Sequence, residues 1–65
     1  MKYYIKERFN PQLQNTSFTL YGKISKKRVR EIENKTRYGS ITMHSYKTKS
    51  EYEARIQELK NEKKL

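Results

Sequence analysis

The chain has no cysteine, no aspartate and no tryptophan, and only one proline, two glycines and one histidine. Without cysteine there is no disulfide and no thiolate metal site. Without aspartate, the usual carboxylate ligand of Mg²⁺ in nucleases and polymerases is missing, and only glutamate could replace it. A single histidine, His44, cannot build a metal site, though it could serve as a general acid or base. No paired carboxylates converge: Glu31 and Glu33 sit two apart, on different sides of a helix. There is no glycine-rich phosphate loop and no nucleophile motif. The sequence therefore predicts a non-catalytic protein with no cofactor and no metal. No apolar run approaches the roughly 20 residues of a membrane span. The start, from Met1 to Arg8, reaches charged residues after one short apolar cluster, unlike a secretory leader. A cytoplasmic protein is the expectation.

Acidic residues are scarce in one region only. Twelve of the sixteen Lys and Arg residues lie within the first 49 positions, where Glu7, Glu31 and Glu33 alone oppose them, leaving +9. In the last sixteen residues four bases and four acids cancel. Five of the six tyrosines share the basic part. A basic surface with aromatic rings among its charges suits a polyanion.

Sixty-five residues make one small domain at most. Hydrophobic content of 32% against 35% charged residues raises the question of disorder, but the apolar residues are periodic. Residues 2–9 alternate, with Tyr3, Ile5 and Phe9 on one face and Tyr4, Lys6 and Arg8 on the other. Period two means a strand. Asn10 to Asn15, with Pro11, breaks the pattern, and residues 16–23 resume it with Phe18 and Leu20 against Thr19, Tyr21 and Lys23. This reads as an antiparallel hairpin. Ser25 is a candidate N-cap for a helix over Lys26–Asn34, with Val29 and Ile32 as its apolar stripe. After an exit loop over Asn34–Gly39, residues 40–46 alternate, with Ile41 and Met43 against Thr42, His44 and Tyr46. Thr48-Lys49-Ser50-Glu51 is a capping box, followed by Tyr52, Ile56 and Leu59 at i, i+4 and i+7. Glu51 and Arg55 form an i,i+4 pair, and residues 60–65 are expected to fray.

The predicted fold is α+β, order β-β-α-β-α: a three-stranded antiparallel sheet with two helices on one face. The expected core is Tyr3, Ile5, Phe9, Phe18, Leu20, Ile41 and Met43 from the sheet. Val29, Ile32, Tyr52, Ile56 and Leu59 cover it from the helices. The other sheet face would then be open, bearing Tyr4, Lys6, Arg8, Thr19, Tyr21, Lys23, Thr42, His44 and Tyr46. Tyr46, at a strand end before a helix, is the member most apt to fold back over the core.

Two constellations bear on function. Rings on the open sheet face can stack on bases while Lys and Arg meet phosphates; tyrosine also favours strands for its β-propensity alone. The densest basic run is Lys23, Lys26, Lys27, Arg28, Arg30, Lys35 and Arg37. Lys26, Lys27 and Arg30 share a helix side near its N-terminus, where the macrodipole favours anions, so a bound phosphate would relieve the mismatch. The same charges equally suit a solvated helix face. Candidate nucleic-acid-binding residues are Tyr4, Lys6, Arg8, Tyr21, Lys23, Lys26, Lys27, Arg30 and His44. Here His44 is expected beside Lys6, Arg8 and Lys23, whose charge would disfavour its protonation.

The segment Tyr46-Lys47-Thr48-Lys49-Ser50-Glu51-Tyr52-Glu53-Ala54 resembles the end of the arm-type DNA-binding domain of phage and transposon tyrosine recombinases. That resemblance implies a three-stranded sheet inserted into the DNA major groove. It covers about a fifth of the chain, and that family lacks a helix between its second and third strands. In size and residue usage, with phrases such as Tyr3-Tyr4-Ile5-Lys6-Glu7-Arg8-Phe9-Asn10-Pro11, the chain is also similar to small orphan proteins of Gram-positive phages and mobile elements. Those include DNA-binding regulators and anti-CRISPR inhibitors of host defence. The expected partner is therefore DNA or RNA, or alternatively an acidic protein surface or ribonucleoprotein. The oligomeric state stays open.

Overall fold

The computed structural model describes residues 1–35 and 39–65. Five elements follow in order: β1 (Lys2–Asn10), β2 (Asn15–Ile24), α1 (Lys26–Lys35), β3 (Ser40–Tyr46) and α2 (Lys49–Asn61). The strands form one antiparallel sheet, order β2-β1-β3. The α+β class and the element order are those read from the sequence.

Local chemistry explains the joints. In the hairpin turn Asn10 Oδ1 accepts from the amides of Gln12 (3.0 Å) and Leu13 (3.2 Å), and Gln14 takes a left-handed φ of 52°. Ser25 caps α1 by accepting from the Arg28 amide at 3.3 Å. Thr48 caps α2 through Glu51 N–H at 3.2 Å. Gly39 enters β3 at φ +77°, and a Cβ there would lie 2.1 Å from the Phe9 carbonyl oxygen, so only glycine fits.

The sheet register overturns the expected arrangement of faces. In antiparallel ladders, directly paired residues share a face. Ile5 pairs with His44 and Glu7 with Thr42, while Lys6 pairs with Met43 and Arg8 with Ile41. Ile41 and Met43 therefore lie on the face of Tyr4, Lys6 and Arg8. Thr42, His44 and Tyr46 lie with Tyr3, Ile5 and Glu7. Each face thus carries apolar groups, and each receives one helix. α2 covers the Ile5 face: Tyr52 stacks on Tyr3 with ring centroids 5.2 Å apart and meets Tyr46 at 6.3 Å. Leu59 and Ile5 are the most deeply buried side chains. α1 lies on the opposite face, where Val29 borders a cleft with Tyr4 and Met43. The expectation of both helices on one face is corrected. The Cα extents of 34 × 31 × 11 Å agree. Three strands span about 10 Å, which accounts for the thin axis.

The core is accordingly Tyr4, Ile5, Val29, Ile32 and Leu59. Phe9 and Leu20, assigned to it from the alternation, are 43% and 40% exposed: Phe9 stands at the hairpin end of β1, and Leu20 lies on the edge strand β2 beside Ile5. Tyr4, placed on the open face, is 8% exposed beneath α1.

A bulge lies between Tyr4 and Ile5 of the β1–β2 ladder, leaving Tyr21 without a partner across the ladder and Gly22 at φ +69°. The Gly22 amide donates to Tyr52 Oη at 3.0 Å, which ties the edge strand to α2. Arg55 turns towards the helix C-terminus, bonding Glu58 at 3.0 Å, with Glu62 at 4.0 Å, rather than Glu51. The chain end, expected to fray from residue 60, stays helical to Asn61. It then closes with Lys63 N–H donating to the Lys60 carbonyl and Lys64 N–H to that of Leu59. Lys63 occupies the left-handed position at φ 60°. This is a Schellman closure without its usual glycine.

Two stability measurements check this packing. Leu59→Ala lowers unfolding free energy in urea titration by about 2–5 kcal/mol. Lys63→Gly raises it by about 1 kcal/mol, because a Cβ in the left-handed region costs about that much.

Candidate nucleic-acid interface

The face that α1 covers gathers two basic groups far apart in sequence. From the sheet come Lys6 and Arg8, with Tyr21 beside them; Lys6 Nζ lies 5.7 Å from the Tyr21 ring centroid. From the helix come Lys26 and Arg30, four residues apart and so on one flank. This flank faces β3, since both residues line the cleft with Met43 and Ser45. Lys27 is exposed about 100° further round the helix. Arg8 Nε is shut off from solvent with no hydrogen-bond partner among the described residues.

The acids of the basic region are arranged to leave this side positive. Glu7 points to the opposite face, where its Oε1 lies 2.9 Å from His44 Nε2. Glu31 accepts from Arg28 at 3.3 Å. Only Glu33 borders the α1–β3 cleft, and it is in no ion pair among the described residues. The cleft has a volume of about 320 Å³, with an apolar floor of Tyr4, Val29 and Met43.

Of the nine residues predicted for a site, the structure places Lys6, Arg8, Tyr21, Lys26 and Arg30 on the same side of the sheet, with Lys27 at the margin. Tyr4 joins the core, and within the site it serves as cleft floor. Lys23 pairs with Tyr3 and so lies on the α2 face, exposed. His44 lies there too, beside a carboxylate rather than beside Lys6 and Arg8; the expected effect of those cations on its protonation is withdrawn. Arg37 of the basic run lies outside the described residues. Glu33, Met43 and Ser45 were missed. Alternation alone assigns Met43 to the core on the other face, and only the strand register reveals that it meets α1.

Among the described residues no group of three or more His or Glu side chains is placed to hold a metal ion, and no helix is long and apolar enough to cross a membrane. No protein-family model, curated protein or solved structure matches the chain.

The placement of His44 has a measurable consequence. If a strand binds the α1 face, titration with a single-stranded oligonucleotide leaves the His44 imidazole NMR signals unshifted while amides of Lys6, Tyr21 and Arg30 move. A shift of His44 comparable to theirs would put the contact on the α2 face.

Proposed function

We propose that the protein binds nucleic acid without catalysis, through the sheet face of Lys6, Arg8 and Tyr21 and the adjoining flank of α1. The observation that carries this reading is the convergence of the two basic groups on one side, with Glu7 turned to the other. Lys6, Arg8, Lys26, Lys27 and Arg30 supply five cations for phosphates. Tyr21 offers a ring whose electrons already attract Lys6, and a base can stack on such a ring. Covering Tyr4 with a helix removes one of the rings expected on an open sheet. Insertion of a bare sheet into a major groove, implied by the recombinase resemblance, is therefore disfavoured: α1 stands on that face. Single strands, which can follow a path between helix and sheet, suit the geometry better than duplex.

A different observation favours a second reading. Phe9, Leu13 and Leu20 are exposed around the hairpin, Phe9 and Leu20 on the α2 face. Exposed large apolar groups of this kind suit a protein partner. Under this reading the chain is an inhibitor of the anti-CRISPR kind made by phages and mobile elements, docked on an acidic protein or ribonucleoprotein. A pull-down from nuclease-treated lysate recovers a specific protein under this reading and nothing under the first.

The nucleic-acid reading is tested by affinity against salt. Each neutralised phosphate of a single strand contributes about 0.7 to the log–log slope, so five contacts give roughly −3.5. The double variant Lys26→Ala/Arg30→Ala shortens that slope by roughly 1.4, while Lys60→Ala on α2 leaves it unchanged. Binding insensitive to salt, or absent for every DNA and RNA at low salt, refutes the reading.

A further inference from the structure

Within that reading, on which this inference rests, the α1–β3 cleft contains a residue that a phosphate site would not carry. Glu33 borders it beside Lys26 and Arg30, and Ser45 stands on the β3 side. A carboxylate at this point repels a phosphate. It suits a group that offers N–H donors. The floor of Tyr4, Val29 and Met43 is apolar, with Tyr4 and Val29 each 8% exposed. Such a floor suits a flat ring, and a methionine sulfur makes favourable contacts with aromatic rings. The volume of about 320 Å³ lies at the small end of the roughly 300–1,000 Å³ of ligand clefts, room for one base and its sugar rather than a longer segment.

We propose that this cleft receives one unpaired guanine from the bound strand. Its ring lies on Met43 and Val29, its phosphate is held at the mouth by Lys26 and Arg30, and its Watson–Crick edge meets Glu33. Guanine is the base that presents two adjacent donors, N1–H and the N2 amino group, to match the two oxygens of a carboxylate. Thymine and uracil offer one N–H flanked by two carbonyl oxygens, which the carboxylate repels. Adenine and cytosine offer an amino group beside an unprotonated ring nitrogen, which it also repels. Reading a flipped-out base on this edge while cations hold its phosphate is the usual logic of single-strand recognition. The cations supply affinity and Glu33 supplies choice.

The test uses fluorescence anisotropy with thymine octamers, one of them with a central guanine in place of thymine. A good bidentate pair discriminates by about 1–3 kcal/mol, so the wild type binds the guanine oligomer roughly 5- to 150-fold more tightly. Glu33→Gln loses that preference while holding or increasing affinity for the all-thymine strand, since it removes a negative charge. A purely structural role for Glu33 would weaken both strands alike. Lys26→Ala/Arg30→Ala weakens both strands with the ratio preserved. Salt-dependent binding with no guanine preference in the wild type overturns the cleft assignment and leaves the general reading standing. So does a preference that survives Glu33→Gln. Failure to bind any oligonucleotide at low salt overturns both.

Discussion

The pairing of β3 with β1 is the constraint on which the rest depends. Setting Ile5 opposite His44 and Lys6 opposite Met43 divides the apolar residues of the two strands between both sheet faces. A three-stranded sheet with apolar groups on each side cannot leave either side to water, so each recruits a helix. One residue of slip would reverse the inward and outward sets of β3. Ile41 and Met43 would then join Ile5, α1 would lose its footing on Met43, and the basic helix would no longer stand beside Lys6 and Arg8.

The elements themselves were legible, because each rests on short-range chemistry. Alternation marks the strands, Ser25 and Thr48 cap the helices, and Asn10 and Pro11 make the turn. The register was not, because alternation states only which residues of one strand go together. It does not say which set of one strand joins which set of the next. Glu7 was the available clue. It interrupts the stripe of Tyr3, Ile5 and Phe9 and needs a polar neighbour across the ladder. His44, which meets it at 2.9 Å, is the one residue of β3 that can supply a cation. The candidate site was half legible for the same reason. Its charges could be counted from the chain, and its cleft, which needs α1 over Met43, could not.

The two faces differ in how completely they are closed. On the α2 side Tyr3, Tyr46 and Tyr52 form an aromatic cluster, and the Tyr52 hydroxyl satisfies the amide of Gly22 at the β2 bulge. With Tyr4 buried under α1, four of the six tyrosines are thus structural, which weakens any argument from tyrosine content to stacking. On the α1 side the helix brings only Val29 and Ile32 as buried residues, and its flank stands off from β3 by a cleft. A ten-residue helix with so thin a stripe holds its place by packing rather than by its own propensity. The looser layer is therefore also the charged one.

That coincidence has an energetic side. A domain with five buried apolar residues among those described has little margin, yet it carries +9, and net charge of one sign strains a compact state. Lys26 and Lys27 stand in the first turn of α1, which contains no acid to match its positive end. Arg8 Nε is buried on the same side without a partner among the described residues, which costs stability as well. A polyanion laid along this face would relieve the net charge and the mismatch at the start of α1 at once. Anything that binds only the folded chain also stabilises it by mass action. Under the proposed reading, the positive charges that strain the free protein are the ones a bound strand would meet, so stability and binding would draw on the same residues. Replacing those bases would be expected to firm the fold while weakening binding, the opposite of what replacing core residues does.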